Sequence, residues 1–139
     1  MTARPSAELR RQVVRRANER CEYCLIHQDD AVANHQIDHV IADKHGGPTT
    51  LENLALACVL CNIRKGSDLS SIDPESVEVT TLFNPRIQGW TEHFRVDDVQ
   101  IIGSTPEGRA TVRLLQLNSF QRLAERRELK KAGRFPVST

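Results

Sequence analysis

Aromatic side chains are scarce in this chain: one Trp, one Tyr and four Phe among 139 residues. A core built from them would be small, so the interior must be mainly aliphatic and thin. A chain of this length suits one domain with a modest core. Small cores of that kind often need a staple. No apolar run approaches the ~18 residues that a membrane helix requires, so no membrane partner is expected. The opening MTARPSAELRR has no apolar stretch behind its charges, which argues against a signal peptide. The expected setting is therefore a reducing cytoplasm, where cysteine pairs read as metal ligands rather than disulfides. Repeats and low-complexity segments are also missing.

Net charge is nearly absent too, at +1, but it is unevenly spread. Residues 1–20 carry six arginines against two glutamates, and residues 120–135 carry six basic residues against two acidic ones. The middle is correspondingly acidic. Basic flanks around an acidic centre suit a protein that grips phosphates while its centre holds a cation. Solvated helix faces explain the same pattern without any partner.

What the chain does have is four cysteines in two Cys-x-x-Cys pairs, Cys21/Cys24 and Cys58/Cys61. Residues 25–57, 33 in number, separate them. Two thiolates three positions apart reach one ion from a single turn, and two such knuckles close a tetrahedral Zn²⁺ site. A closed site has no open position, so its role is structural. Four buried thiols without metal would pack as small hydrophobes.

Local signals give an α+β chain. Residues 6–20 read as a helix capped by Ser6, with Leu9, Val13, Val14 and Ala17 along one stripe. Residues 34–42 alternate as a strand, and DKHGGPTT (43–50) is turn chemistry. Residues 54–58 return as a second strand, and 59–65 form a short helix stopped by Gly66. Polar residues 67–76 read as a loop, 77–82 as a strand, and 83–94 fit no period. VQII (99–102) reads as a strand. Residues 109–131 are helical with a break at Asn118-Ser119.

The stretch from Cys21 to Gly66 contains Asp38-His39, Gly46-Gly47, Asn53-Leu54 and a second Cys-x-x-Cys followed at once by Asn62. That order resembles the HNH endonuclease family. The resemblance implies a ββα-metal core over residues 21–66 with a four-cysteine zinc site. Helix 6–20 and an α/β extension over 77–132 would flank it in one domain, 1–139. It further implies a DNA phosphodiesterase with His39 as general base and Asn53 orienting it. Asp38 and Asn62 would hold a catalytic Mg²⁺ or Mn²⁺. Neighbouring strand residues point to opposite faces, so Asp38 and His39 serve one site only if the strand ends or twists there. Arg64 and Lys65 are candidate phosphate contacts, with solvent as the alternative. His35 either faces the site, as an extra ligand or phosphate contact, or lies on the strand surface. A zinc-stabilised nucleic-acid-binding module without catalysis is the rival. It keeps the cysteines and basic ends but has no need of Asp38, His39, Asn53 and Asn62 together.

Overall fold

The structure is a computed structural model and describes residues 4–136. Among the described residues it is a mixed α+β fold of three two-stranded antiparallel sheets and five α-helices. Its contacts resolve into two compact units. One contains residues 4–69 with Asn84–Gln88, and the other contains Ser70–Phe83 with residues 89–136.

The first unit begins with helix α1, Ala7–Arg16, where the Ser6 hydroxyl accepts from Leu9 N at 3.1 Å. Glu8 in the first turn and Arg15 and Arg16 in the last complement the helix dipole. The helix stops four residues short of the expected end. Asn18 and Glu19 both take left-handed backbone (φ 54° and 61°), which no α-helix continues. That reversal delivers the chain to Cys21. Val13 is fully buried and packs on Leu54 and Leu56, with Leu9, Val14, Ala17, Ile37 and Leu51 around it.

Leu54 and Leu56 belong to β2, Leu54–Ala57, which pairs with β1, Gln36–His39. The register sets Ile37 opposite Leu56, Asp38 opposite Ala55 and His39 opposite Leu54. The strand is shorter than residues 34–42 because the 41–49 segment turns away. Gly47 sits at the tightest point of that turn. A Cβ there would lie 1.7 Å from Ile41 O and 2.8 Å from Asn53 Nδ2, so only glycine fits. Helix α2, Val59–Lys65, follows as expected and ends on Gly66 at φ 51°.

The second unit holds β3 (Ser70–Ile72) paired with β4 (Val79–Thr81), then α3 (Trp90–His93). After these come β5 (Phe94–Asp97) paired with β6 (Gln100–Gly103), α4 (Pro106–Leu114) and α5 (Phe120–Lys131). Strand β3 falls in the expected loop, and α3 and β5 fall in or beside the aperiodic stretch. Ser119 caps α5 at the expected break. Two arginines of the basic α5 turn inward. Arg126 donates to Val99 O (2.6 Å), Leu117 O (2.6 Å) and Asn118 Oδ1 (2.8 Å), and Arg122 donates to Leu115 O (2.9 Å). Buried Asp73 is gripped bidentately by Arg109 at 2.9 and 2.8 Å. No helix among the described residues is long and apolar enough to cross a membrane.

Candidate metal centre and nuclease site

The two knuckles converge. Cys21 and Cys24 follow the end of α1, while Cys58 caps α2 and Cys61 lies in its first turn. All four side chains are buried free thiols, with their sulfurs within 4.8 Å of one another. Cys24 Sγ and Cys58 Sγ are 3.7 Å apart, far from a disulfide bond. A tetrahedron with Zn–S bonds of about 2.3 Å has edges of roughly 3.8 Å, so the donor set fits zinc. Backbone N–H groups already point at two of the sulfurs: Cys24 N at Cys21 Sγ (3.5 Å) and Cys61 N at Cys58 Sγ (3.4 Å). Burial pushes the Cys21 and Cys61 thiols up.

The hairpin between the knuckles has two unlike faces. Ile37 and His39 alternate onto the face that meets α1. Gln36 and Asp38 take the other face, which meets α2. Asn62 donates from Nδ2 to Gln36 Oε1 at 2.6 Å, and Lys65 Nζ lies 3.4 Å from Asp38. Asp38 also accepts from the Tyr23 hydroxyl at 2.7 Å. Burial raises the Asp38 carboxyl above its ordinary value, while Lys65 and then Tyr23 pull it back down.

His39, at the end of β1 and half-buried, places Nε2 2.9 Å from Thr49 Oγ1. Thr49 arrives on the 41–49 segment, which Asn53 clamps with three bonds. Its Nδ2 donates to Ile41 O (2.9 Å) and Pro48 O (2.8 Å), and its Oδ1 accepts from Ile41 N (2.9 Å). Asn53 thus holds the loop, and Thr49 makes the bond to His39. Arg16 fastens the same corner from α1, donating to Leu51 O at 2.8 Å and to Leu54 O.

These positions correct part of the sequence reading. Asp38 of β1 and Asn62 of α2 meet where the helix packs on the hairpin. The Asp38 carboxylate is engaged by Lys65 and Tyr23, and the Asn62 amide is engaged by Gln36. The Asn62 bond uses Nδ2, so its carbonyl oxygen is not the atom that Gln36 engages. His39 makes its side-chain bond to Thr49 on the 41–49 segment, and no bond joins it to Asp38 or Asn62. Lys65, expected at phosphate, is only 3 % exposed, since the helix turns it onto the hairpin. His35 is 1 % exposed, with Nε2 2.8 Å from Ile26 O, so it is neither a phosphate contact nor a surface residue. Arg64 is exposed on α2. Tyr23, Thr49 and Arg16 escaped the sequence reading. Only the position of Tyr23 inside the Cys21–Cys24 knuckle offered a signal.

The family model for HNH endonuclease matches residues 21–68. Residues 21–68 are thus similar to an HNH endonuclease domain. The match begins at the first zinc-knuckle cysteine and ends just past α2, so it spans the hairpin and both cysteine pairs. Among curated proteins, the chain is similar to the Septu protein PtuB of Bacillus thuringiensis, 27% identical over 116 residues. That alignment covers 81% of this chain but 42% of the relative, so the chain spans less than half of the relative's length. No solved structure matches the chain at comparable significance. HNH domains are in general nuclease-type units.

Proposed function

We propose that the HNH domain hydrolyses DNA phosphodiester bonds with His39 as general base. The observation that carries this reading is the placing of the His39 imidazole. It is half-exposed at a strand end, with Nε2 held by Thr49 on a loop that Asn53 fixes. With Nε2 held, Nδ1 is the nitrogen that takes a proton from water. Imidazole titrates near neutrality, which suits that work. The activated water attacks phosphorus and the 3′ oxygen leaves. Exposed Arg64 is the basic side chain of α2 offered to a phosphate. Mg²⁺ or Mn²⁺ would supply charge stabilisation at the scissile group, but no step is assigned to an ion between Asp38 and Asn62. The four cysteines hold a structural Zn²⁺ that fixes the hairpin to α2.

Supercoiled-plasmid cleavage with Mg²⁺ or Mn²⁺, run beside His39→Ala, tests the reading. Wild type should nick or linearise the plasmid. The variant should be slower by at least about a hundredfold, the usual worth of a general base. Undiminished cutting by the variant would remove His39 from the mechanism.

A second reading is favoured by one observation: the Asp38 carboxylate is already engaged by Lys65 and Tyr23. A zinc-stabilised nucleic-acid-binding module without catalysis would tolerate that. Zinc-loaded, folded wild type that binds DNA and never cuts it would establish this alternative.

A further inference from the structure

Helix α1 lies outside the matched residues, yet it reaches the corner that carries His39. Val13 marks its packed face. Arg11 and Arg15, two residues either side of Val13, project from the far side of the helix, and Arg11 is paired with Glu8 in solvent. Arg10 and Arg16, three residues either side, flank the packed face. Each is tied to backbone carbonyls at one end of the hairpin. Arg10 donates to His35 O at 3.0 Å, where β1 begins and so away from His39. Arg16 donates to Leu51 O at 2.8 Å and to Leu54 O, and Leu54 is the register partner of His39. Between Leu51 and Leu54 in sequence comes Asn53, which holds the loop behind His39.

Carbonyls orient a guanidinium without neutralising it. The nearby Glu22 carboxylate is already taken, one oxygen by Arg86 and the other by Leu56 N at 2.8 Å. Glu22 and Glu52 act on Arg16 through charge alone, without a bond. Burial first, and then the neighbouring Arg86 cation, pull the Arg16 guanidinium below its ordinary value, and the two carboxylates pull it back up. The side chain nevertheless stays exposed, with N–H groups left over for a further acceptor. We infer that Arg16 binds a phosphate of the DNA strand that His39 cuts, so that α1 completes the nuclease site from outside residues 21–68. A guanidinium fixed in advance loses little side-chain freedom on meeting a phosphate, and its planar fork suits phosphate oxygens. Arg15, on the far side of the helix, points away from the hairpin. The inference rests on His39 as general base and adds a phosphate grip to that site.

The test uses the full, zinc-loaded chain in a His39→Ala background, so that bound duplex stays intact. Binding to a fluorescein-labelled DNA duplex is followed by anisotropy across a series of NaCl concentrations. Each phosphate contact adds about 0.9 to the steepness of log affinity against log salt. Arg16→Gln should make that slope shallower by about 0.9. Arg16→Lys, which keeps the charge, and Arg15→Gln should leave it unchanged. A purely structural role for Arg16 would not move the slope. Phenylglyoxal modification of the unsubstituted protein, read by mass spectrometry, covers the case in which Arg16→Gln does not fold. Duplex should protect Arg16 and leave Arg15 reactive. Four results overturn the inference: an unchanged slope in folded Arg16→Gln, an equal change in Arg15→Gln, Arg16 that reacts as fast with duplex as without it, or a full chain that binds no duplex. The first three leave the plasmid assay untouched, since that assay reads His39 separately.

Discussion

The two units of this chain solve the same problem with different chemistry. Each is too small to be held by aliphatic packing alone. The first, with Val13, Leu54 and Leu56 at its centre, ties its two ends together with four sulfurs. The second has a richer apolar interior in Phe83, Phe94, Ile101, Leu115 and Leu117. There, buried Arg122 and Arg126 tie down backbone carbonyls, and half-buried Arg109 ties down a carboxylate. The difference teaches where each unit breaks. A metal staple is lost all at once, whereas a set of arginine bonds is lost piece by piece.

The largest effect should come from breaking the staple. Cys58→Ser, or exhaustive chelation, should unfold the first unit. Metal binding in such sites contributes roughly 10–16 kcal/mol, which rivals or exceeds the whole stability of a small domain at about 5–15 kcal/mol. Amide resonances of residues 4–69 should collapse while those of the second unit persist. A zinc-free variant with a native first unit would erase the contrast.

Next comes Arg126→Met, which leaves Val99 O, Leu117 O and Asn118 Oδ1 without this donor. Each orphaned buried acceptor costs about 1–3 kcal/mol. Urea unfolding monitored in the second unit should therefore show a loss well beyond the ~0.5 kcal/mol of an ordinary surface change. A smaller loss would mean that packing, not the guanidinium, holds α5.

Acid sharpens the comparison further. The Arg109 guanidinium holds the Asp73 carboxyl well below the usual carboxylate range. A carboxyl depressed in the folded state contributes stability above its unfolded value, near pH ~4, and loses it as pH falls through the folded value. The second unit should weaken progressively below about pH 4. Asp73→Asn should flatten that stretch of the urea midpoint against pH, and an unchanged slope would assign the acid sensitivity elsewhere.

The smallest effect belongs to the first unit. Thr49→Val should slow cleavage roughly tenfold, less than loss of His39 itself, and shift its pH profile, with Thr49→Ser close to wild type. Equal rates for Val and Ser would leave Thr49 a loop residue only.

Much of this was legible from residue order. The paired cysteines, the strand–turn–strand–helix order and the stop at Gly66 were local signals, and local structure follows them. So were the caps at Ser6 and Ser119. The end of α1 was not legible, because Asn18 and Glu19 adopt left-handed backbone that neither residue type demands. Nor were β3, α3 and β5, short elements that depend on their partners rather than on their own periodicity. Lys65 and His35 were misplaced for one reason: polar residues read as exposed until the fold supplies buried partners. For Lys65 those partners are carbonyls and Asp38, and for His35 the Ile26 carbonyl.

Tyr23 sits buried inside the first cysteine knuckle, bonded to Asp38, and it is the chain's only tyrosine. Its only tryptophan, Trp90, lies in α3 with its ring 5.0 Å from that of Phe94. Each unit thus carries a private intrinsic chromophore. Ultraviolet difference absorption of the phenol reports the unit with the four cysteines, and indole fluorescence reports the arginine-pinned one. Two melting curves can be recorded from a single unlabelled sample.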